Sequence, residues 1–206
     1  MTIEVHDLAV SRAGVPLLDA VSFRLTKGEA LLVKGPNGSG KTTLLRALIG
    51  LLPHESGHIS IDRDDTVIAT HLDGIKSSLT ARQNLEFWSK IYCRSLDDEF
   101  LAALNLGPLL SKYGNELSAG QKRRLGLARV AISDAKNWLL DEPTNSLDQK
   151  AIKALETLIQ NHRKNGGIVI VSSHQKLALP KAKTLDLSKH KPAHKNQNDP
   201  FLEGVF

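Results

Sequence analysis

Val33-Lys34-Gly35-Pro36-Asn37-Gly38-Ser39-Gly40-Lys41-Thr42-Thr43 contains, from Gly35 to Thr42, the pattern G-x-x-x-x-G-K-[ST]. Such a loop wraps phosphate oxygens with backbone N–H groups when it joins a strand to a helix. The residues before it, Ala30-Leu31-Leu32-Val33, form an unbroken apolar run, as expected of a strand buried on both faces. The residues after it, 42–49, read as a helix with Leu44, Leu48 and then Leu51 on one face, stopped by Pro53. Both neighbours that the motif requires are therefore present. Glycines let the backbone close on phosphates without a side-chain clash, and the helix N-terminus adds partial positive charge. In this geometry Lys41 reaches the β- and γ-phosphates, and the Thr42 hydroxyl is placed to ligate magnesium.

Outward from this loop the chain alternates strands with helices. Upstream, Ile3 and Val5, then Val21, Phe23 and Leu25, alternate with polar residues as two half-buried strands. Downstream, short strands fit 57–61 and 66–69. Residues 80–112 carry Leu85, Trp88, Phe100, Leu101 and Leu104 at helical spacing, punctuated by Gly107-Pro108. A helix over 120–133 is striped by Leu125, Ala128 and Ile132, and a strand fits 138–140. A helix over 149–164 turns Ile152, Leu155 and Ile159 inward, and a strand at 168–171 follows the stop at Gly166-Gly167. The order predicts an α/β fold with a mostly parallel sheet on a P-loop NTPase core and an inserted α-helical lobe over about 72–133. The domain is expected to span 1–188, and residues 189–206, without apolar periodicity, to form a flexible basic tail.

Composition narrows the function classes. A single cysteine, Cys93, excludes an internal disulfide framework and a cysteine-based zinc site. No apolar run approaches the roughly 18 residues of a spanning helix, and Met1-Thr2-Ile3-Glu4-Val5-His6-Asp7 has neither the basic start nor the apolar core of a signal peptide. A soluble chain is expected. The net charge of +5 comes largely from residues 176–206, where six lysines face three acids, so the remainder carries only +2. With few aromatic platforms for stacked bases, this argues against a nucleic-acid partner. His6, His54, His58 and His162 are scattered and read as solvated or structural, and His190 and His194 fall in the tail.

Two further motifs carry chemistry. Trp138-Leu139-Leu140-Asp141-Glu142 ends an apolar run with two acids, and the carboxyl ends of parallel strands face the ligand crevice. Asp141 is then placed to hold magnesium, and Glu142 to polarise a water toward the γ-phosphate. Read alone, the acids and the following Pro143 to Asp148 would be the cap of the next helix. Leu117-Ser118-Ala119-Gly120-Gln121 opens a helix with a small turn, another anion-binding terminus. Lys122, Arg123 and Arg124 follow it as bases expected at a nucleotide interface.

In this order the motifs resemble the nucleotide-binding subunit of ATP-binding cassette (ABC) transporters over about residues 1–175. The resemblance implies an ATPase with magnesium as cofactor, and a small antiparallel β subdomain at the N-terminus. It makes Gly35, Pro36, Asn37, Gly38, Ser39, Gly40, Lys41, Thr42 and Thr43 the ATP loop. It makes Leu117 to Gln121 the signature that acts in trans, and Ser146-Leu147-Asp148 the loop crossing the dimer interface. His174 becomes the switch histidine beside catalytic Glu142 and Lys41. The implied assembly is a homodimer whose two ATPs each lie between one chain's phosphate loop and the other's signature, working with integral membrane subunits at the cytoplasmic side of a bacterial inner membrane.

Two positions depart from the general pattern. Arg12 stands where an aromatic residue usually stacks on adenine, and a guanidinium plane can also stack on a base. His71 is the alignable residue where a glutamine usually senses the metal. The stretch His71-Leu72-Asp73-Gly74-Ile75-Lys76-Ser77-Ser78-Leu79-Thr80, with Gly166 to Ile170 leading to Ser172-Ser173-His174-Gln175, resembles the ATP-binding subunits of haem export complexes in cytochrome c maturation. The alternatives are an ABC ATPase for another exported substrate and a soluble, non-transport ABC ATPase.

Overall fold

The computed structural model describes residues 2–70, 72–96, 101–102, 104–174 and 177–192. The chain opens as an antiparallel hairpin, β1 (Thr2–Arg12) and β2 (Val15–Thr26), joined by Ala13 and Gly14 at φ 51° and 76°. Two positive φ values in a two-residue loop match the twist of the flanking strands. After β3 (Ala30–Lys34) and α1 (Lys41–Leu48), β4 (Ser56–Ser60) pairs with the free side of β1, giving the order β2-β1-β4. In β1, Val5, Leu8 and Val10 are all buried, although residues 5 and 8 would face opposite ways in a regular strand. The register shift between them, with Asp7 at φ 46° and its N–H bonded to Ser22 Oγ at 2.8 Å, turns Leu8 back to the core.

The second sheet is entirely parallel, with order β5-β6-β7-β3-β8. Its strands are β5 (Thr66–Ala69), β6 (Asn137–Asp141), β7 (Ile168–Ser172), β8 (Lys183–Asp186) and β3. Both faces are covered, which is why β6 and β7 are buried throughout. Ile168 and Ile170 join Leu44, Leu45 and Leu48 of α1 and the inner face of the small sheet in one core. Val169 and Val171 join Ile152, Leu155 and Ile159 of a later helix in the other.

Residues 72–133 hold a third apolar cluster containing Leu85, Leu106, Leu125, Ala128 and Ile132. Its helix α2 (Ala81–Ile91) starts with a capping box of Thr80 and Gln83, and α3 (Ala119–Ile132) with one of Ser118 and Gln121. α3 is buried on two sides: Leu125, Ala128 and Ile132 face this cluster, whereas Leu127 and Val130 face the parallel sheet. Helix α4 (Gln149–Lys164) has the bounds its periodicity predicts, with Asp148 as cap.

The structure adds to or departs from the sequence reading in three places. Leu51 does not extend the buried face of α1, because the helix ends at Leu48 and Gly50 (φ 76°) turns the chain, leaving Leu51 67% exposed. Strand β8 has no counterpart in the sequence reading. At this sheet edge Leu185 is the strand's one buried residue, between Thr184 and Asp186, so no alternation marks it. Order also continues past residue 188, since a 3-10 turn spans Leu187–His190 and His190 Nδ1 lies 3.3 Å from the Asp19 carbonyl. Residues 193–206, like Phe100, lie outside the described residues.

Candidate functional site

The phosphate loop runs from the end of β3 to the start of α1, at the carboxyl end of the sheet. A Cβ on Gly35 (φ 150°) would come within 2.4 Å of Ser39 Oγ, and one on Gly40 (φ 96°) within 2.8 Å of the Leu18 side chain. Only glycine fits at either position, and the loop closes tightly because of it. Lys41 is 7% exposed. Its ammonium donates to the Gly35 and Pro36 carbonyls (2.9 and 3.3 Å) and to His174 Nε2 (2.8 Å), and lies 3.5 Å from Glu142 Oε1. His174 Nε2 is 3.1 Å from the same Glu142 oxygen. The tertiary fold therefore gathers Lys41, Glu142 and His174, from α1, the turn after β6 and the turn after β7, at one point.

Glu142 occupies a strained backbone position, φ 47°, immediately after β6. Its N–H is held by the Ser172 carbonyl (3.0 Å) and hydroxyl (2.9 Å), and its carboxylate accepts from the His174 N–H at 3.2 Å. Asp141 is 4% exposed, and hydroxyls fix both its oxygens: Thr42 Oγ1 donates to Oδ2 and Ser172 Oγ to Oδ1, each at 2.7 Å. A hydroxyl and a carboxylate side by side suit a hard cation completed by phosphate oxygens. Among the described residues no group of three His, Cys, Asp or Glu forms an all-protein metal cage.

Around this point lies a cleft of about 430 Å³ lined by Arg12, Leu17, Asn37, Gly38, Gly40, Lys41, Thr42, Thr43, Glu142 and His174. Arg12, at the end of β1, contributes to its lining. Ser39 is buried beneath the loop and Gly35 and Pro36 serve Lys41. His71 lies outside the described residues.

The other predicted residues assemble elsewhere. Ser118, Gly120 and Gln121 share a second cleft, about 290 Å³, with Arg124, Ser146, Leu147 and Asp148. Ala119 is exposed beside it. A Cβ on Gly120 would lie 2.3 Å from the Ser146 carbonyl oxygen, so this turn packs directly on the loop after Glu142. Leu117 is buried in the helical cluster and anchors the turn. Asp148 also caps α4, accepting from the Ala151 N–H at 2.7 Å. Among the described residues none lines both clefts.

Sequence reading misplaced one base and missed one hydroxyl. Arg123 does not face a nucleotide interface: it is 5% exposed, with its guanidinium against the carbonyls of Asp141 and Glu142. Its spacing to Leu127 and Val130, i+4 and i+7, puts it on the stripe of α3 that faces the sheet, a signal available in the sequence. Ser172, which bonds both residues of the acid pair, stands in the sequence as the end of an apolar strand leading to His174, with no pattern that marks its hydroxyl for that task.

Comparison with known proteins agrees with this geometry. A family model described as ABC transporter matches residues 18–145. The cytochrome c biogenesis ATP-binding export protein CcmA of Roseobacter denitrificans is 46% identical over 187 residues, covering 91% of each chain. Its counterpart in Cereibacter sphaeroides is 42% identical over 208 residues, covering 100% of this chain and 99% of that one. Among solved structures, a Pyrococcus furiosus protein assigned as an ABC transporter ATP-binding protein superposes with a TM-score of 0.81 at 26% identity, over 93% of this chain and all of that one. With a phosphate loop, paired acids and signature turn on this fold, and with 42–46% identity to these CcmA proteins over nine tenths or more of the chain, the chain belongs to the ABC transporter family and is an ATPase of that family.

Proposed function

We propose that two copies of this chain bind two MgATP at their shared interface and hydrolyse them to power a membrane complex that handles haem in cytochrome c maturation. The step powered is export of haem or release of a haem-loaded chaperone. The observation that supports the dimer is that, among the described residues, the phosphate loop and the signature turn line separate clefts with no residue in common. A second copy, turned head to tail, brings Ser118 and Gly120 of one chain to the γ-phosphate held by the other, with Ser146, Leu147 and Asp148 lining the contact. The haem assignment rests on the likeness to CcmA proteins.

Within each site Lys41 and the amides of residues 35–43 hold the phosphates, and Arg12 stacks on the base. Thr42 and Asp141 are the residues that would hold magnesium, which when bound neutralises phosphate charge. Glu142 accepts a proton from the attacking water, and His174 orients that water and the γ-phosphate. Membrane subunits seat the chain at the cytoplasmic face of the inner membrane. None of the described helices is long and apolar enough to cross a membrane itself.

Glu142→Gln tests this reading. Turnover should fall by roughly 100-fold or more, the usual contribution of a positioned general base. ATP binding should survive, and the variant should elute with ATP at twice the 22.5 kDa chain mass. Turnover at the wild-type rate would remove Glu142 from the role of base.

A further inference from the structure

Arg123 is a buried cation whose five N–H groups all find acceptors, and the acceptors come from two separate parts of the fold. On one side, Nη2 donates to the carbonyls of Asp141 (2.7 Å) and Glu142 (2.8 Å), and Nε to that of Pro143 (3.4 Å). On the other, Nη1 donates to the Thr70 carbonyl and to Asp73 Oδ1 (3.0 Å), in the segment that leads from β5 to the helical region. Among the described residues Asp73 is the one carboxylate paired with it, and the pair is largely out of solvent. Asp73 reaches it by resting on the backbone of α3 one turn further on: a Cβ on Gly126 would come within 2.9 Å of both Asp73 Cβ and Oδ1.

A buried charge with every donor used fixes its neighbours rigidly, because any shift leaves a desolvated polar group unpaired. Glu142 needs such fixing. At φ 47° its backbone persists only where both its polar groups are held. Ser172 holds the N–H, and the C=O accepts from Arg123 (2.8 Å) and from the Asn145 N–H (3.2 Å).

We propose that Arg123 is a positioning residue for ATP hydrolysis: its guanidinium, charge-balanced by Asp73, holds the Asp141–Glu142–Pro143 turn and so sets where the Glu142 carboxylate stands. The inference rests on the reading of Glu142 as base. Arg123 hydrogen-bonds no residue of the phosphate loop, so its loss should weaken nucleotide binding far less than hydrolysis. Lysine cannot replace it, because three rotatable donors on a point charge do not reproduce the planar fork.

The test is steady-state ATP hydrolysis by the full chain carrying Arg123→Lys, which keeps the charge opposite Asp73. Gly126→Ala, which displaces Asp73 while leaving both Arg123 and Glu142 in the sequence, is measured beside it. Displacement of a reacting group by about 1 Å costs on the order of 100-fold, so Arg123→Lys should lower kcat about 10- to 100-fold. KM and the affinity for a fluorescent ATP analogue should stay within about threefold of wild type, the signature of an interaction spent on the transition state. Gly126→Ala should show the same split to a smaller extent. Wild-type kcat in Arg123→Lys, or a loss of nucleotide affinity as large as the loss of kcat, overturns the proposal. If Arg123→Lys yields no folded protein, wild-type kcat in Gly126→Ala overturns it and a kcat-only loss supports it. Glu142→Gln separates the two readings: hydrolysis by that variant sinks the base itself, whereas an inactive Glu142→Gln beside a fully active Arg123→Lys sinks only the positioning role.

Discussion

Individual side chains here do more than one task, and the tasks are separable by chemistry. Lys41 draws the loop carbonyls of Gly35 and Pro36 together while meeting Glu142 and His174, so the loop's shape and its charge share one residue. His162 is a structural counterpart. Its ring stacks on Trp138 with centroids 3.8 Å apart and an 11° tilt, and its Nε2–H donates to the Lys136 carbonyl at 3.0 Å. Burial holds its pKa below the ordinary 6.5, despite the opposing effect of that hydrogen bond. The folded chain thus takes up a proton at lower pH than the unfolded one. Stability linked to this group is present above about pH 6.5 and is lost as pH falls through the folded value. Thermal melts from pH 7.5 to 5.0 should show a declining Tm, with a shallower decline in His162→Gln. Equal slopes would remove His162 as the cause.

At the scale of elements, a few well-satisfied polar groups shape the helical region. Asn84, 1% exposed at the start of α2, donates to the carbonyls of Lys76 (3.1 Å), Leu79 (3.3 Å) and Thr80 (3.0 Å) and accepts from the Lys76 N–H (2.8 Å). It folds residues 76–80 onto the helix. Asn84→Ala leaves buried backbone groups unpaired and should cost about 2–3 kcal/mol in urea unfolding. A cost below about 0.5 kcal/mol, that of an ordinary surface change, would show that water replaces it. The elements most legible in the sequence were those with one apolar period throughout: α4, striped by Ile152, Leu155 and Ile159, and β5. β8 was illegible because an edge strand buries little, and the bulge in β1 because it breaks the alternation that identifies a strand.

For the molecule as a whole, the separation of the two clefts makes a specific prediction about complementation. Lys41→Ala damages the phosphate-loop half and Ser118→Arg the signature half. If sites form between chains, a mixed dimer keeps one intact site, assembled from the undamaged phosphate loop of one chain and the undamaged signature of the other. Each variant alone should be inactive, and an equimolar mixture should recover measurable turnover in a coupled phosphate-release assay. No recovery on mixing would argue for sites closed within one chain.

The phosphate loop, the acid pair and the turn at Leu117 to Gln121 are legible in the sequence alone, because each is a local pattern set by backbone sterics, strand burial or helix capping. The need for a partner chain came only from the resemblance to the ABC family, and no local pattern showed it. Only the tertiary structure decided that Lys41, Glu142 and His174 meet within 3.5 Å, that Ser172 orients both carboxylate residues, and that Arg123 points inward to bind the turn carrying them. The physical reason is that these contacts join segments up to 133 residues apart. Periodicity reports which face of an element is buried, but not which polar group on a distant element it will meet there.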